Sequence, residues 1–82
     1  MLNTEDLLAR ITINPQVLVG KATIRGMRIS VEHILRALSR GISEQELLDE
    51  YPDLEKEDFQ AVFAYATELV EEEQTFAVGV PA

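Results

Sequence analysis

From Ser30 onward the chain punctuates itself as three successive helices, and this constrains the fold more than any other feature. Each helix is preceded by an apolar residue spaced to pack on the fourth helical residue, which fixes the entry angle of the chain: Ile29 with Ile34, Ile42 with Leu47, Leu54 with Phe59. In the first helix Val31, Ile34, Leu35 and Leu38 follow the i, i+3, i+4, i+7 spacing of a single face. Ser30 stands where a hydroxyl can accept from an orphan backbone N–H, and Gly41 supplies the left-handed residue that closes the helix. Ser43 followed by Glu46 is a capping box, and Pro52 stops the helix after Tyr51. The third helix presents Phe59, Val62, Phe63, Ala66, Leu69 and Val70 along one face. Glu55 at its start is a poor cap, and Asp53 is close enough to serve instead. The spacing predicts helices over 31–40, 43–50 and 55–72, joined by two short connections: a trihelical bundle.

Upstream the signals change period. Ile11-Thr12-Ile13 is a short strand-like run stopped by Asn14-Pro15, and a second extended stretch from Ala22 to Ile29 is interrupted at Gly26. Two strands this short are marginal in isolation, so they should pair within a dimer or lie across the helices. Thr4 to Arg10 fits a helical turn. Residues 73–82 form a tail in which Phe76, Val78 and Val80 alternate with small residues, a period-2 pattern suited to adding a strand to a sheet edge. The predicted fold is mainly α, with short N-terminal β-strands before the bundle, in a single domain over residues 1–82.

At 82 residues the core is small, and a second copy would help it, which makes a homodimer the expected state. A hydrophobic content of 46% is too high for a disordered chain. The absence of cysteine excludes disulfides and thiolate metal sites. No apolar run approaches a membrane span and Met1 to Asp6 do not read as a signal peptide, so the expected location is cytoplasmic. Charge is unevenly distributed. Residues 1–42 carry six basic and three acidic groups, net +3, whereas residues 43–82 carry Lys56 against twelve carboxylates, net −11, for the overall −8. One half suits an anionic partner and the other a cationic one or water.

Catalytic chemistry finds no footing. Gly20-Lys21 lacks the remainder of a phosphate-binding loop, since Pro15 and Ala22 occupy the positions that need Gly and Ser or Thr. His33 has no second histidine to share a metal, and Glu71, Glu72 and Glu73 read as a solvated or partner-facing helix end. Ser30, Ser39 and Ser43 have no base nearby. The chain is therefore expected to be no enzyme and to need no cofactor or metal.

The helices 43–50 and 55–72, linked by Tyr51-Pro52-Asp53-Leu54, have the order of a helix-turn-helix in a homeodomain-like fold. The helix that would enter the DNA groove opens with Glu55, Lys56, Glu57, Asp58 and Gln60, and carboxylates there would face phosphates. Lys56 and Gln60 are secondary contact candidates. The better set is Lys21, Arg25, Arg28, Arg36 and Arg40, although Glu32 can pair with Arg36 at i, i+4 and Arg40 also suits a helix C-terminus.

The stretch Ile13-Asn14-Pro15, Val17, Gly20-Lys21, Ile24-Arg25-Gly26, Arg28-Ile29 and Val31, followed by Gly41, Ser43, Tyr51-Pro52-Asp53-Leu54 and Ala64-Tyr65-Ala66, resembles the bacterial and archaeal domain of unknown function 433, counted among VapB-like antitoxins. The resemblance runs from about Arg10 to Val70, within a family core of residues 10–72. Ala22, Met27 and Glu55-Lys56 depart from the family's usual Pro, Thr and Thr-Pro. It implies a homeodomain-like trihelical domain after short strands, often paired with a PIN-like ribonuclease toxin. The leading expectation is an antitoxin of a type II toxin–antitoxin pair that binds such a nuclease, with weak operator DNA binding as a secondary expectation and Arg25 and Arg28 aimed at the nuclease carboxylates. The competing expectations are a DNA-binding regulator without a toxin, and a protein-interaction module with a degenerate helix-turn-helix.

Overall fold

The computed structural model describes residues 2–72. The elements run α1 (Thr4–Leu8), β1 (Ile11–Ile13), a single 3-10 turn (Leu18–Gly20), β2 (Ala22–Ile24), α2 (Val31–Ser39), α3 (Glu44–Glu50) and α4 (Lys56–Glu72). This is the expected helical bundle behind two short strands, with each predicted helix found to within one residue at its ends. The tail pattern of Phe76, Val78 and Val80 lies outside the described residues.

The caps carry their expected bonds. The Ser30 hydroxyl accepts from the His33 N–H at 2.9 Å. Ser43 and Glu46 complete a reciprocal box, with Glu46 N–H donating to Ser43 Oγ at 3.0 Å and Ser43 N–H to Glu46 Oε2 at 3.1 Å. Gly41, at φ 91°, turns the chain out of α2, and the amides of Gly41 and Ile42 return to the carbonyls of Leu38 and Ala37. That pair of bonds satisfies carbonyls the helix would otherwise leave orphaned.

The cap of α4 differs from expectation. Neither Asp53 nor the Glu55 side chain fills it. Instead Asp58, one turn into the helix, reaches back to accept from the Glu55 N–H at 2.8 Å, which leaves the Glu55 carboxylate available to Arg10.

The strands pair with each other, antiparallel, with Ile11 opposite Ile24, Thr12 opposite Thr23 and Ile13 opposite Ala22. No second copy is required for that pairing, because β2 rests on α2 and β1 on α4, which give the ribbon an apolar bed. A bridge from Thr23 to Ser30 carries the ribbon into the start of α2. Between them Arg25 (φ 47°) and Gly26 (φ 74°) form a tight turn closed by the Met27 N–H on the Ile24 carbonyl at 2.8 Å. Thr12 Oγ1 accepts from the Gly26 N–H at 2.9 Å and lies 3.0 Å from Thr23 Oγ1, so the turn is tied to the sheet.

The core gathers Ile24, Val31, Ile34, Leu47, Leu54, Phe59 and Val62 from the ribbon, all three main helices and the α3–α4 connection. Burial of each such side chain contributes roughly 1.5–3 kcal/mol. α1 packs chiefly against α4. The apolar face of α4 is used unevenly: Phe59, Ala61 and Val62 are buried, whereas Phe63, Leu69 and Val70 are 46%, 47% and 64% exposed. No described helix is long and apolar enough to cross a membrane.

Candidate functional site

The expected contact residues divide into two groups. Arg25 sits in the left-handed turn after β2, and its guanidinium grips Asp58 with a two-pronged fork: Nε to Oδ1 at 3.0 Å and Nη2 to Oδ2 at 2.9 Å. Nη2 also donates to the Asp53 carbonyl. Arg10 adds a third bond to the Asp58 carboxylate, Nη1 to Oδ1 at 3.0 Å, and also reaches Glu55 Oε1 at 2.7 Å. Asp58 is 1% exposed. Burial pushes its carboxyl up, but Arg25, the Glu55 N–H and Arg10 outweigh burial and hold it below the usual carboxylate value. One of the carboxylates expected to face DNA phosphates is thus inside the protein. The cluster is a structural clamp between the N-terminal ribbon and the head of α4.

The other four cations assemble around α2. His33, Arg36 and Arg40 follow i, i+3, i+7 on its exposed side. Three hollows meet along this ridge. A cleft of about 480 Å³ lies between the 3-10 turn and the start of α2, lined by Val19, Lys21, Arg28, Ser30, His33 and Tyr51 among others. A groove of about 510 Å³ lies between α2 and the far half of α4, with Leu35, Tyr65 and Leu69 on its walls and Lys21, Glu32 and Arg36 at its rim. A smaller hollow of about 200 Å³ holds His33, Arg36, Arg40 and Glu50. Lys21 belongs to the first two, His33 to the first and third, and Arg36 to the second and third, so the hollows form one continuous surface.

Two anions lie within this surface, Glu50 in the smallest hollow and Glu32 at the rim of the groove. Glu32 is the ion-paired one. It receives Lys21 Nζ at 2.9 Å and Arg36 Nη2 at 2.8 Å, and the hydrogen bond from Lys21 leads in holding its carboxyl below the usual value. Arg28 and Arg40 form no ion pair among the described residues. His33 Nε2 lies 3.0 Å from Tyr51 Oη, with the rings edge to face at 5.9 Å. Burial, then the Glu50 charge, pushes the Tyr51 phenol up, so its hydroxyl stays protonated at neutral pH. The secondary candidates Lys56 and Gln60 are exposed on the first turns of α4 and border none of these hollows.

Two features of this surface escaped the sequence reading. The contact between His33 and Tyr51 spans 18 residues, and no spacing rule connects them. Leu18 and Val19 are left-handed, at φ 48° and 57°, which a β-branched residue in an ordinary apolar run gives no reason to expect.

Comparison with known proteins agrees with this architecture. A family model described as protein of unknown function (DUF433) matches residues 11–66, from β1 to beyond the middle of α4. The crystal structure of a DUF433 member protein from Anabaena variabilis ATCC 29413, at 2.00 Å resolution, is similar with a TM-score of 0.71 and 36% sequence identity. The match covers 77% of this chain and 62% of that one, so this chain spans less than two thirds of the crystallised protein. No curated protein matches.

Proposed function

Since the chain belongs to the DUF433 family, we propose that it is a non-catalytic, antitoxin-like binding protein whose α2 face captures an acidic protein partner, a nuclease of the PIN-like class. In this reading it works as a cytoplasmic homodimer.

The observation that supports it is the grouping of Lys21, Arg28, Arg36 and Arg40 around α2 in a molecule of net charge −8. A cationic face on an acidic protein steers association with an anionic surface and disfavours wrong partners. Arg forks suit the carboxylates of a metal-dependent nuclease site. Arg28 and Arg40 are the leading contacts, since Arg25 is occupied by Asp58. Apolar walls from Leu35, Tyr65 and Leu69 beside the charges favour a protein over a phosphate backbone, because protein interfaces bury an apolar core within a polar rim. Operator DNA is the competing ligand, and the exposed Glu55 and Glu57 at the head of α4 weigh against it.

The test is co-expression with PIN-like nucleases from the same genome, followed by co-purification and an RNA-cleavage assay. One nuclease should be retained and silenced. The double variant Arg28→Glu, Arg40→Glu should release it with unchanged helix content by circular dichroism. Retention of no nuclease, or full inhibition by the double variant, would refute the reading.

A further inference from the structure

The cleft between the 3-10 turn and α2 combines three properties that its packing role does not explain. It is cationic, with Lys21 and Arg28 on its walls, and Arg28 has no ion-pair partner among the described residues. It carries a hydrogen-bonded His33–Tyr51 pair able to present a polar hydrogen to an anion. At its mouth, Val19 is 95% exposed.

Val19 is the unusual element. A β-branched side chain at φ 57° crowds its own backbone, and the cost is ordinarily offset by packing of that side chain. Here the side chain faces water, so its own fold gains almost nothing from the strain or from the exposed methyls. Leu18, also left-handed at φ 48°, and Ile29 continue the apolar surface into the cleft.

We infer that this cleft is a recognition pocket for an acidic, apolar-bearing peptide segment of a partner protein, with Arg28 taking its carboxylate, Lys21 adding positive charge beside its pair with Glu32, and Val19 packing against its apolar side chain. The inference deepens the proposed function by naming the segment the α2 face selects, and it rests on that reading for its biological partner. An inorganic phosphate or a nucleic-acid backbone would use the cations but leave Val19 in water. A peptide with Leu or Val next to Glu or Asp uses both.

The experiment requires no nuclease, so it can fail separately from the functional reading. Three labelled probes are titrated by fluorescence polarisation against the full chain: a short peptide alternating Leu and Glu, an all-Glu peptide of the same length, and a DNA duplex. The mixed peptide should bind at least about fivefold more tightly than either other probe, and Arg28→Glu should remove most of its affinity. Val19→Asn places a residue tolerant of the left-handed region at the strained position. It should raise the melting temperature by several degrees while erasing the preference for the mixed peptide over all-Glu. Equal binding of the two peptides by the wild type, tighter binding of the duplex, or a preference that survives Val19→Asn would overturn the inference. The rise in melting temperature shows that the variant folds, so lost preference cannot be mistaken for unfolding.

Discussion

Asp58 shows how one side chain can join segments that are distant in sequence. It accepts from the Glu55 amide at the head of its own helix, from Arg25 in the β-turn, and from Arg10 ahead of β1. Taking a carboxylate out of water is costly, and the pairing holds because its oxygens are satisfied by fixed donors. Asp58→Asn should therefore destabilise the fold toward the lower end of about 3–5 kcal/mol, since Arg25 and Arg10 keep partial access to solvent. Urea denaturation at neutral pH measures this. The same carboxyl predicts a pH dependence. Its folded-state value lies below the unfolded reference of about 3.9, so its contribution is complete above that reference and disappears as pH falls through the folded value. Wild-type stability should drop as pH falls below about 4, and the Asn variant should lose that part of the drop.

At the scale of elements, α2 and α3 are held at their ends and α4 at its front half. The capping box of α3 predicts that Ser43→Ala costs about 1 kcal/mol, checked by thermal or urea unfolding. Within α4, Phe59 is buried and Leu69 is nearly half exposed, although both belong to the apolar stripe that periodicity marks. Phe59→Ala should cost about 3–5 kcal/mol, whereas Leu69→Ala should change the stability of a single copy by no more than about 0.5 kcal/mol. Similar losses at both positions would show that the far half of α4 is covered by more than its own described core.

For the whole molecule, the excess of acid in residues 43–82 and the cations around α2 create a field of two signs on one small body. Association with the proposed partner through the α2 face should slow as ionic strength rises, and Arg36→Glu should flatten that dependence by acting mainly on the association rate. Stopped-flow measurement over a range of salt concentrations separates this from a change in dissociation.

The caps at Ser30 and Ser43, the close of α2 at Gly41, the break at Pro52 and the helical bundle they imply are legible in the sequence, because each depends on groups within a few residues of one another. Resemblance also identified the family, since its turn residues lie in consecutive order. Contacts between distant segments are what set Arg25 on Asp58 while Arg28 faces outward, pair β1 with β2, and bury Phe59 and Val62 of α4 while Phe63, Leu69 and Val70 stay exposed. Those outcomes depend on contacts between residues up to 48 positions apart, such as Arg10 and Asp58, and no periodicity encodes them. Propensity and spacing describe a helix and its face. Which part of the face meets protein and which meets solvent is decided by where the ribbon and α1 come to rest.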